Sequence, residues 1–141
     1  DAFEADFAKF QGTDYSVGVA SGTGAIFLAL RALGIEAGDE VITTAHSFIA
    51  TIEPVEEIGA IPVFVDIDET TFNIDASKIE AAITNKTKAI MPVSLYGQPS
   101  DMDEINAIAK KHHLKVIIDG AQCFGASMDV TNYKASHGYL M

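Results

Sequence analysis

Three short segments combine small residues with side chains that bind ligands or carry out chemistry. They are "ASGTGA" (20–25), "TTAHSF" (43–48) and "DGAQCF" (119–124). The first offers backbone N–H groups and the hydroxyl of Thr23, which suit an anion such as a phosphate. The second offers the imidazole of His46 and the ring of Phe48, which can cover a planar ligand, although this stretch alone favours a core Phe and a surface His. The third offers the carboxylate of Asp119 and, three positions later, the amide of Gln122.

Asp119 directly follows the apolar run "VII" (116–118), so its carboxylate is predicted to lie at the end of a buried strand. Burying an ionised carboxylate without a partner is costly. A cationic partner such as a protonated pyridine nitrogen would serve, and so would the N–H groups of the following turn. Asp119 and Gln122 share one short turn and can address two atoms of one flat ring. The residues alone leave both interpretations open.

Gly22 and Gly24 are predicted to form a turn between a strand and a helix. Free N–H groups at a helix start favour a phosphate, but an ordinary tight turn has the same composition. A dinucleotide-binding fingerprint needs a third glycine at position 27, where the sequence has Phe27, and no Walker Gly-Lys-Ser/Thr pattern occurs. A phosphate site and a simple turn therefore remain alternatives at this point.

Two further groups of polar residues are predicted to be structural. Asp66 and Asp68 can hold a metal in principle, but no third ligand is evident and turn hydrogen bonding explains them as well. His112 and His113 fall at the end of a predicted helix, where the helix dipole favours positive charge.

The elements that position these segments alternate between helix and strand. The spacing of Phe3, Phe7 and Phe10 predicts an opening amphipathic helix. Strands are predicted at 15–20, 40–44, 61–67, 88–95 and 115–119, and further helices at 25–33, 48–59, 76–83 and 102–113. Ser100 with Asp103 resembles a capping box for the last of these helices.

Mostly apolar strands that alternate with helices predict an α/β domain around a largely parallel sheet. Ligands of such sheets bind beyond the carboxyl ends of the strands, where the three segments fall. Asp75 is expected to cap the helix that follows it, and Gly34 to end the helix before it. The weak point is Pro92, which has no N–H to donate within its predicted strand.

Composition excludes several classes of protein. With 20 acidic and 9 basic residues the net charge is -11, which argues against non-specific nucleic-acid binding. The only cysteine, Cys123, rules out an internal disulfide and a cysteine-cluster metal site, so a reducing cytoplasm is the expected location. The first residues do not resemble a signal peptide, and no apolar run is long enough to span a bilayer, so no membrane is expected as a partner.

Taken together, the segments resemble one family closely, the pyridoxal-phosphate-dependent sugar aminotransferases of the DegT/DnrJ/EryC1/StrS type. The resemblance runs from about Tyr15 to Ser127. It rests on "GVASGTGAIFLALRALGIEAGDEVIT", "FIAT", "IPVFVDID", "TFNIDASKIEAAIT", "TKAIMPVSLYGQPSDMDEINAIAKKH" and "VIIDGAQCFGAS". It implies the aspartate aminotransferase fold, fold type I, whose large domain holds a mostly parallel seven-stranded sheet.

The resemblance also implies pyridoxal 5'-phosphate as cofactor and a role for individual residues. Gly22, Thr23 and Gly24 match the turn that holds the cofactor phosphate. Phe48 matches the aromatic residue that stacks on the pyridine ring.

The third segment matches the residues around the polar atoms of the ring. Asp119 matches the acid that contacts the pyridine nitrogen, and Gln122 matches the residue near the phenolic oxygen. A carboxylate at the ring nitrogen keeps it protonated, so the ring can accept electrons from the substrate.

The implied reaction transfers an amino group, usually from glutamate, to a keto sugar attached to a nucleotide. The stretch "VSLYGQ", with Ser94, looks most like members that act on 3-keto sugars of the UDP-acetamido-glucuronate kind. The family usually builds its active site across a homodimer, so a homodimer is implied here.

Other parts of the family pattern are missing. The family's Schiff-base lysine lies downstream of the "DGAQ" segment, whereas Lys134 is the only lysine after Asp119 and its surroundings do not match. The resemblance therefore predicts a partial large domain at 1–127, a divergent segment at 128–141, and a truncated fragment that is inactive alone. The alternative is a non-catalytic α/β module that binds a phosphate, a nucleotide or a partner protein.

Overall fold

The computed structural model describes residues 1–126 and the backbone of residues 139–140. The helices are α1 (Ala2–Gln11), α2 (Gly22–Ala32), α3 (Glu53–Glu57), α4 (Ala76–Ile79) and α5 (Met102–His112), with 3-10 turns at Ile49–Thr51, Glu80–Ala82 and Leu95–Gly97. The strands are β1 (Glu40–Thr43), β2 (Ile61–Phe64), β3 (Thr87–Ile90), β4 (Lys115–Val116), β5 (Ile118–Asp119) and β6 (Tyr139–Leu140).

The first four strands form one parallel sheet in the order β2-β1-β3-β4. Asp119 extends the sheet because its N–H donates to the carbonyl of Pro92 at 2.9 Å and its own carbonyl accepts from the N–H of Ser94 at 3.0 Å. Strand β5 also pairs in parallel with β6. The predicted α/β architecture with a parallel sheet is confirmed.

Helices cover both faces of this sheet, and adjacent strand residues divide between them because strand side chains alternate. Val41 packs in the cluster formed with α2 and α3, whereas its neighbour Ile42 packs in the cluster formed with α4 and α5. Ala89 and Ile90 divide in the same way on β3. Because both faces are covered, successive strand residues must be apolar, as Val41 and Ile42 are in β1 and Ala89 and Ile90 are in β3.

Local hydrogen bonds set the helix ends, and the predicted roles of Gly34 and Asp75 are confirmed. The Ser21 Oγ accepts from the N–H of Gly24 at 3.1 Å and caps α2, which begins three residues earlier than expected. Gly34 follows α2 with φ of 78°, a conformation that glycine adopts without a steric penalty. The Asp75 Oδ1 caps α4 through the N–H of Ser77 at 3.1 Å.

The predicted strand at 15–20 is wrong, because this segment is irregular in the structure. Its side chains alternate as a strand requires, but Tyr15 is 87% exposed and Val17 is 78% exposed. A strand is stabilised by pairing with a neighbour, and within residues 1–126 no strand pairs with this segment.

The predicted strands at 88–95 and 115–119 are shorter or interrupted. β3 ends at Ile90, just before Pro92, which cannot donate to the ladder. The predicted Ser100 capping box is also wrong. Asp101 caps α5 through the N–H of Glu104 at 3.3 Å, while the buried Ser100 hydroxyl donates to the carbonyl of Val93 at 3.0 Å.

The segment 128–141 lies outside the described residues apart from the backbone of 139–140, and so does Lys134. Among the helices that the structure describes, none is long and apolar enough to cross a membrane.

We expect substitutions on the buried and exposed sides of α2 to differ strongly in their effect on stability. Leu30 is fully buried, whereas Leu28 on the same helix is 52% exposed. Leu30→Ala should lower the free energy of unfolding by about 2–5 kcal/mol because it leaves a cavity. The matched control Leu28→Ala should change it by less than about 0.5 kcal/mol. Urea unfolding followed by circular dichroism measures both, and equal losses would contradict this assignment of the core.

Candidate functional site

A cleft of about 220 Å³ lies at the carboxyl-terminal edge of the sheet, between the start of α2 and the turn after β5. Its lining is Gly22, Thr23, Ile26, Ser47, Phe48, Ala50, Thr51, Val93, Asp119, Ala121 and Gln122. Five of the six predicted cofactor residues therefore line one cleft, although they come from three distant segments. The sixth, Gly24, is not in the lining.

The floor of the cleft contains the carboxylate of Asp119, which is 6% exposed. The Thr51 hydroxyl donates to Asp119 Oδ2 at 2.7 Å, and the N–H of Ala121 donates to Oδ1 at 3.2 Å. The second bond is the turn-capping interaction that the sequence left open. Within residues 1–126, no lysine, arginine or histidine forms an ion pair with this carboxylate.

Thr51 belongs to a short chain of hydroxyl groups. The Oγ atoms of Ser47 and Thr51 are 2.7 Å apart. A threonine hydroxyl has one proton, and Thr51 donates it to Asp119, so Ser47 must donate to Thr51. Neither residue was identified from the sequence. The available signal was the spacing in "FIAT", since Thr51 lies one 3-10 turn after Phe48 and so points to the same side.

The start of α2 presents unused donors to the other end of the cleft. The N–H of Gly24 is already bonded to Ser21, so it supports the cap. The N–H groups of Gly22 and Thr23 lie in the first helical turn, and no acceptor faces them in the described part of the chain. A Cβ placed on Gly22 would meet no atom within 4 Å, so its backbone is open to a ligand.

Phe48 and Gln122 form the two sides of the cleft. The ring of Phe48 is largely exposed, with no aromatic neighbour among the described residues, and it faces the cleft. The Gln122 Oε1 accepts a long hydrogen bond from the N–H of Tyr96 at 3.4 Å. Beside it, burial raises the pKa of the Cys123 thiol, which favours the neutral thiol over the reactive thiolate.

The other polar groups lie away from this cleft. Asp68 Oδ1 accepts from the N–H groups of Thr70 and Thr71 at 2.9 Å each, which is the predicted turn role. No cluster of potential metal ligands occurs in the part of the chain that the structure describes.

The histidines at the end of α5 are also accounted for locally. His112 Nε2 lies 2.6 Å from Glu80 Oε1, and the hydrogen bond from His112 lowers the pKa of Glu80, with a second contribution from Lys111. His113 ends α5 with φ of 57°. Both positions are consistent with the predicted structural role.

The fold is shared with known aminotransferases. The crystal structure of NtdA from Bacillus subtilis, which contains the bound cofactor PMP, superposes with a TM-score of 0.89 at 45% identity. The alignment covers 94% of this chain and 30% of that one. The α/β fold is therefore that of PLP-dependent aminotransferases.

The chain belongs to the DegT/DnrJ/EryC1/StrS aminotransferase family, whose sequence profile matches residues 1–133. It is 54% identical over 120 residues to the UDP-2-acetamido-2-deoxy-3-oxo-D-glucuronate aminotransferase of Pseudomonas aeruginosa, covering 85% of this chain and 33% of that protein. It is 55% identical over 123 residues to a pleiotropic regulatory protein of Geobacillus stearothermophilus, with 87% and 33% coverage. The chain thus spans about a third of the length of these relatives.

The hydroxyl that contacts Asp119 should contribute measurably to stability. Thr51→Val keeps the shape of the side chain but leaves one carboxylate oxygen without its donor, which should cost about 1–3 kcal/mol. Thr51→Ser retains the hydroxyl and should lose less than Thr51→Val. Urea denaturation midpoints at neutral pH, with unchanged m-values, provide the comparison. If valine is tolerated better than serine, the Thr51–Asp119 bond is not the stabilising contact.

Proposed function

We propose that this chain forms the cofactor half-site of a pyridoxal-phosphate-dependent aminotransferase that acts on a nucleotide-linked keto sugar. The observation that carries the proposal is the buried carboxylate of Asp119, which faces one cleft together with the free N–H groups of α2 and the ring of Phe48. Membership of the aminotransferase family supports the reaction class.

The donors at the start of α2 suit the cofactor phosphate. Gly22 and Thr23 offer two unused N–H groups and one hydroxyl, and the positive end of the helix dipole favours an anion there. Gly24 contributes indirectly, since its N–H fixes the cap that orients the turn. No described lysine or arginine lines this end of the cleft, so these donors and the dipole carry the phosphate interaction.

The opposite end of the cleft suits a protonated pyridine ring. Asp119 offers a negative charge held in place by Thr51, Phe48 offers a flat apolar surface, and Gln122 offers an amide near the position of the phenolic oxygen. When bound, pyridoxal phosphate accepts electrons from the substrate carbon during amino transfer. Asp119 would favour that chemistry by keeping the proton on the ring nitrogen, and Phe48 would cover the ring and exclude water.

The substrate assignment is part of the proposal. A relative that is 54% identical acts on a UDP-linked 3-oxo sugar acid, as its name states, and this supports a nucleotide-linked keto sugar here. An amino acid such as glutamate would supply the amino group. The absence of cysteine pairs is consistent with a reducing cytoplasm as the location.

A lysine that anchors the cofactor covalently is not among the described residues that line the cleft. We therefore propose that the 141-residue polypeptide binds pyridoxal phosphate non-covalently and does not turn over by itself. The competing function is a phosphate- or nucleotide-binding module, which would use the start of α2 but not the carboxylate.

Pyridoxal phosphate binding to the 141-residue chain tests the proposal. Asp119→Asn keeps the side-chain shape and removes the charge at the ring nitrogen, so we expect affinity to fall about tenfold or more. Asp103→Asn, an exposed change of the same type on α5, should bind as wild type does. Equilibrium dialysis measures the affinities.

Two outcomes would contradict parts of this assignment. Unchanged affinity in Asp119→Asn would favour the phosphate-binding module. Borohydride treatment should leave no cofactor attached to the chain, and a reduced adduct on Lys134 together with measurable transamination would disprove the inactivity of the polypeptide.

We also propose that the chain self-associates, as a homodimer would require. Phe3, Phe10 and Phe124 are largely exposed, and the rings of Phe10 and Phe124 stack with centroids 5.2 Å apart. Contiguous exposed aromatic surface favours association. Size-exclusion chromatography with light scattering should show a dimer or larger species, and Phe10→Ser should shift it toward the monomer. A monodisperse wild-type monomer would contradict this proposal.

A further inference from the structure

A second cavity, of about 490 Å³, lies at the ends of β1 and β2. Its lining is Thr44, Ala45, His46, Phe64, Val65, Asp66 and Ile67. The loop that follows β1 contributes to both spaces, because His46 lines the second cavity and Phe48 lines the first. A ligand in the second cavity would therefore contact the same loop as a cofactor in the first.

His46, which lines this second cavity, packs against two further aromatic rings. His46 lies 6.2 Å from Phe72 and 6.1 Å from Tyr96, and Phe72 and Tyr96 are 6.4 Å apart with ring planes at 82°. His46 Nε2 is 3.3 Å from the Tyr96 hydroxyl. Phe72 is 46% exposed and Tyr96 is 69% exposed, so this aromatic triad has ring surface open to a ligand.

Two of these rings belong to residues with an unfavourable backbone conformation. Phe72 has φ of 61° and Tyr96 has φ of 55°, and they are two of only three non-glycine residues with positive φ in the described part of the chain. Bulky residues rarely adopt this conformation, and such strain concentrates at functional sites.

A buried asparagine holds the strained segments together. Asn73 donates from Nδ2 to the carbonyls of Gln98 and Pro99 at 2.9 and 3.2 Å, and its Oδ1 accepts from the N–H of Leu95 at 2.9 Å. Asn73 is 2% exposed. Asn73 follows Phe72 in the chain, and its hydrogen bonds reach residues on both sides of Tyr96. They therefore hold the segment that carries Phe72 against the loop that carries Tyr96.

The triad is also connected to the cofactor cleft. The N–H of Tyr96 donates to Gln122 Oε1, and Gln122 lines that cleft. This hydrogen bond links the backbone of Tyr96 to Gln122. A ligand that contacts the ring of Tyr96 is therefore held in a defined position relative to Gln122.

The chemistry of the second cavity favours a neutral, hydroxyl-rich ligand. No lysine or arginine is among its described lining residues, and Asp66 contributes a carboxylate that would repel a phosphate. A pyranose ring has an apolar face of C–H groups that can pack on Phe72 or Tyr96, and hydroxyls that can bond to Tyr96, His46 and Asp66. Pockets that combine apolar surface with a few polar groups orient ligands in this way.

We propose that His46, Phe72 and Tyr96 hold the sugar ring of the substrate, with its diphosphate and base outside the second cavity. This inference rests on the proposed function, because the sugar must lie beside the cofactor for amino transfer. It assigns to the triad the selection of the sugar, and to the cleft the binding of the cofactor.

Binding of UDP-N-acetylglucosamine to the 141-residue chain, followed by saturation-transfer NMR and titration, tests the inference. The pyranose protons should receive the strongest saturation, and UDP alone should bind more weakly. Phe72→Asn and Tyr96→Asn remove one ring each, and asparagine tolerates positive φ, so the fold should be retained. Each should weaken binding about threefold to tenfold. Tyr15→Asn, which removes an exposed aromatic ring outside the triad, should bind as wild type does.

The inference is overturned if the folded variants bind like wild type, if the uracil protons receive the strongest saturation, or if wild type does not bind the sugar nucleotide. Pyridoxal phosphate binding to wild type is measured in parallel. If wild type binds the cofactor but not the sugar nucleotide, the triad assignment is refuted, whereas failure of wild type to bind the cofactor refutes the proposed function.

Discussion

The buried carboxylate of Asp119 is the constraint on which the site depends. A charge at this depth needs partners, and the structure supplies the Thr51 hydroxyl at 2.7 Å and the N–H of Ala121 at 3.2 Å. The first comes from the segment after β1 and the second from the turn after β5, so the carboxylate joins two segments that are distant in the sequence. The same group that stabilises this junction carries the charge that a cationic ring would require.

The polar segments converge for a reason that is visible in the sequence. Parallel strands end at one edge of the sheet, so Phe48 and Asp119, which follow strands, were expected together. Thr23 lines the same cleft, although the strand expected before it is not formed. The helix cap at Asp75 is local and was predicted, whereas the cap at Ser21 is equally local but was not identified. The alternation of Val41 and Ile42 between two core clusters follows from apolar strands covered on both faces.

What could not be predicted depends on long-range geometry. The segment 15–20 has strand-like alternation but no strand to pair with among the described residues, and pairing is a property of the whole fold. Predicting the hydroxyl chain from Ser47 through Thr51 to Asp119 requires the distance between two loops. Predicting the aromatic triad requires the relative positions of three loops. The spacing of apolar residues predicts which side of a helix or strand is buried. These contacts depend instead on how far each loop projects beyond the sheet.

The positive φ angles at Phe72 and Tyr96 limit how this surface can diversify. β-branched residues such as valine or isoleucine would be strained at either position, while asparagine, aspartate and glycine are tolerated. Selection for a different ligand would therefore sample mostly small polar residues in place of the rings, exchanging contact area for hydrogen bonds. The backbone that displays the aromatic surface thus restricts the range of chemistries accessible by single substitutions.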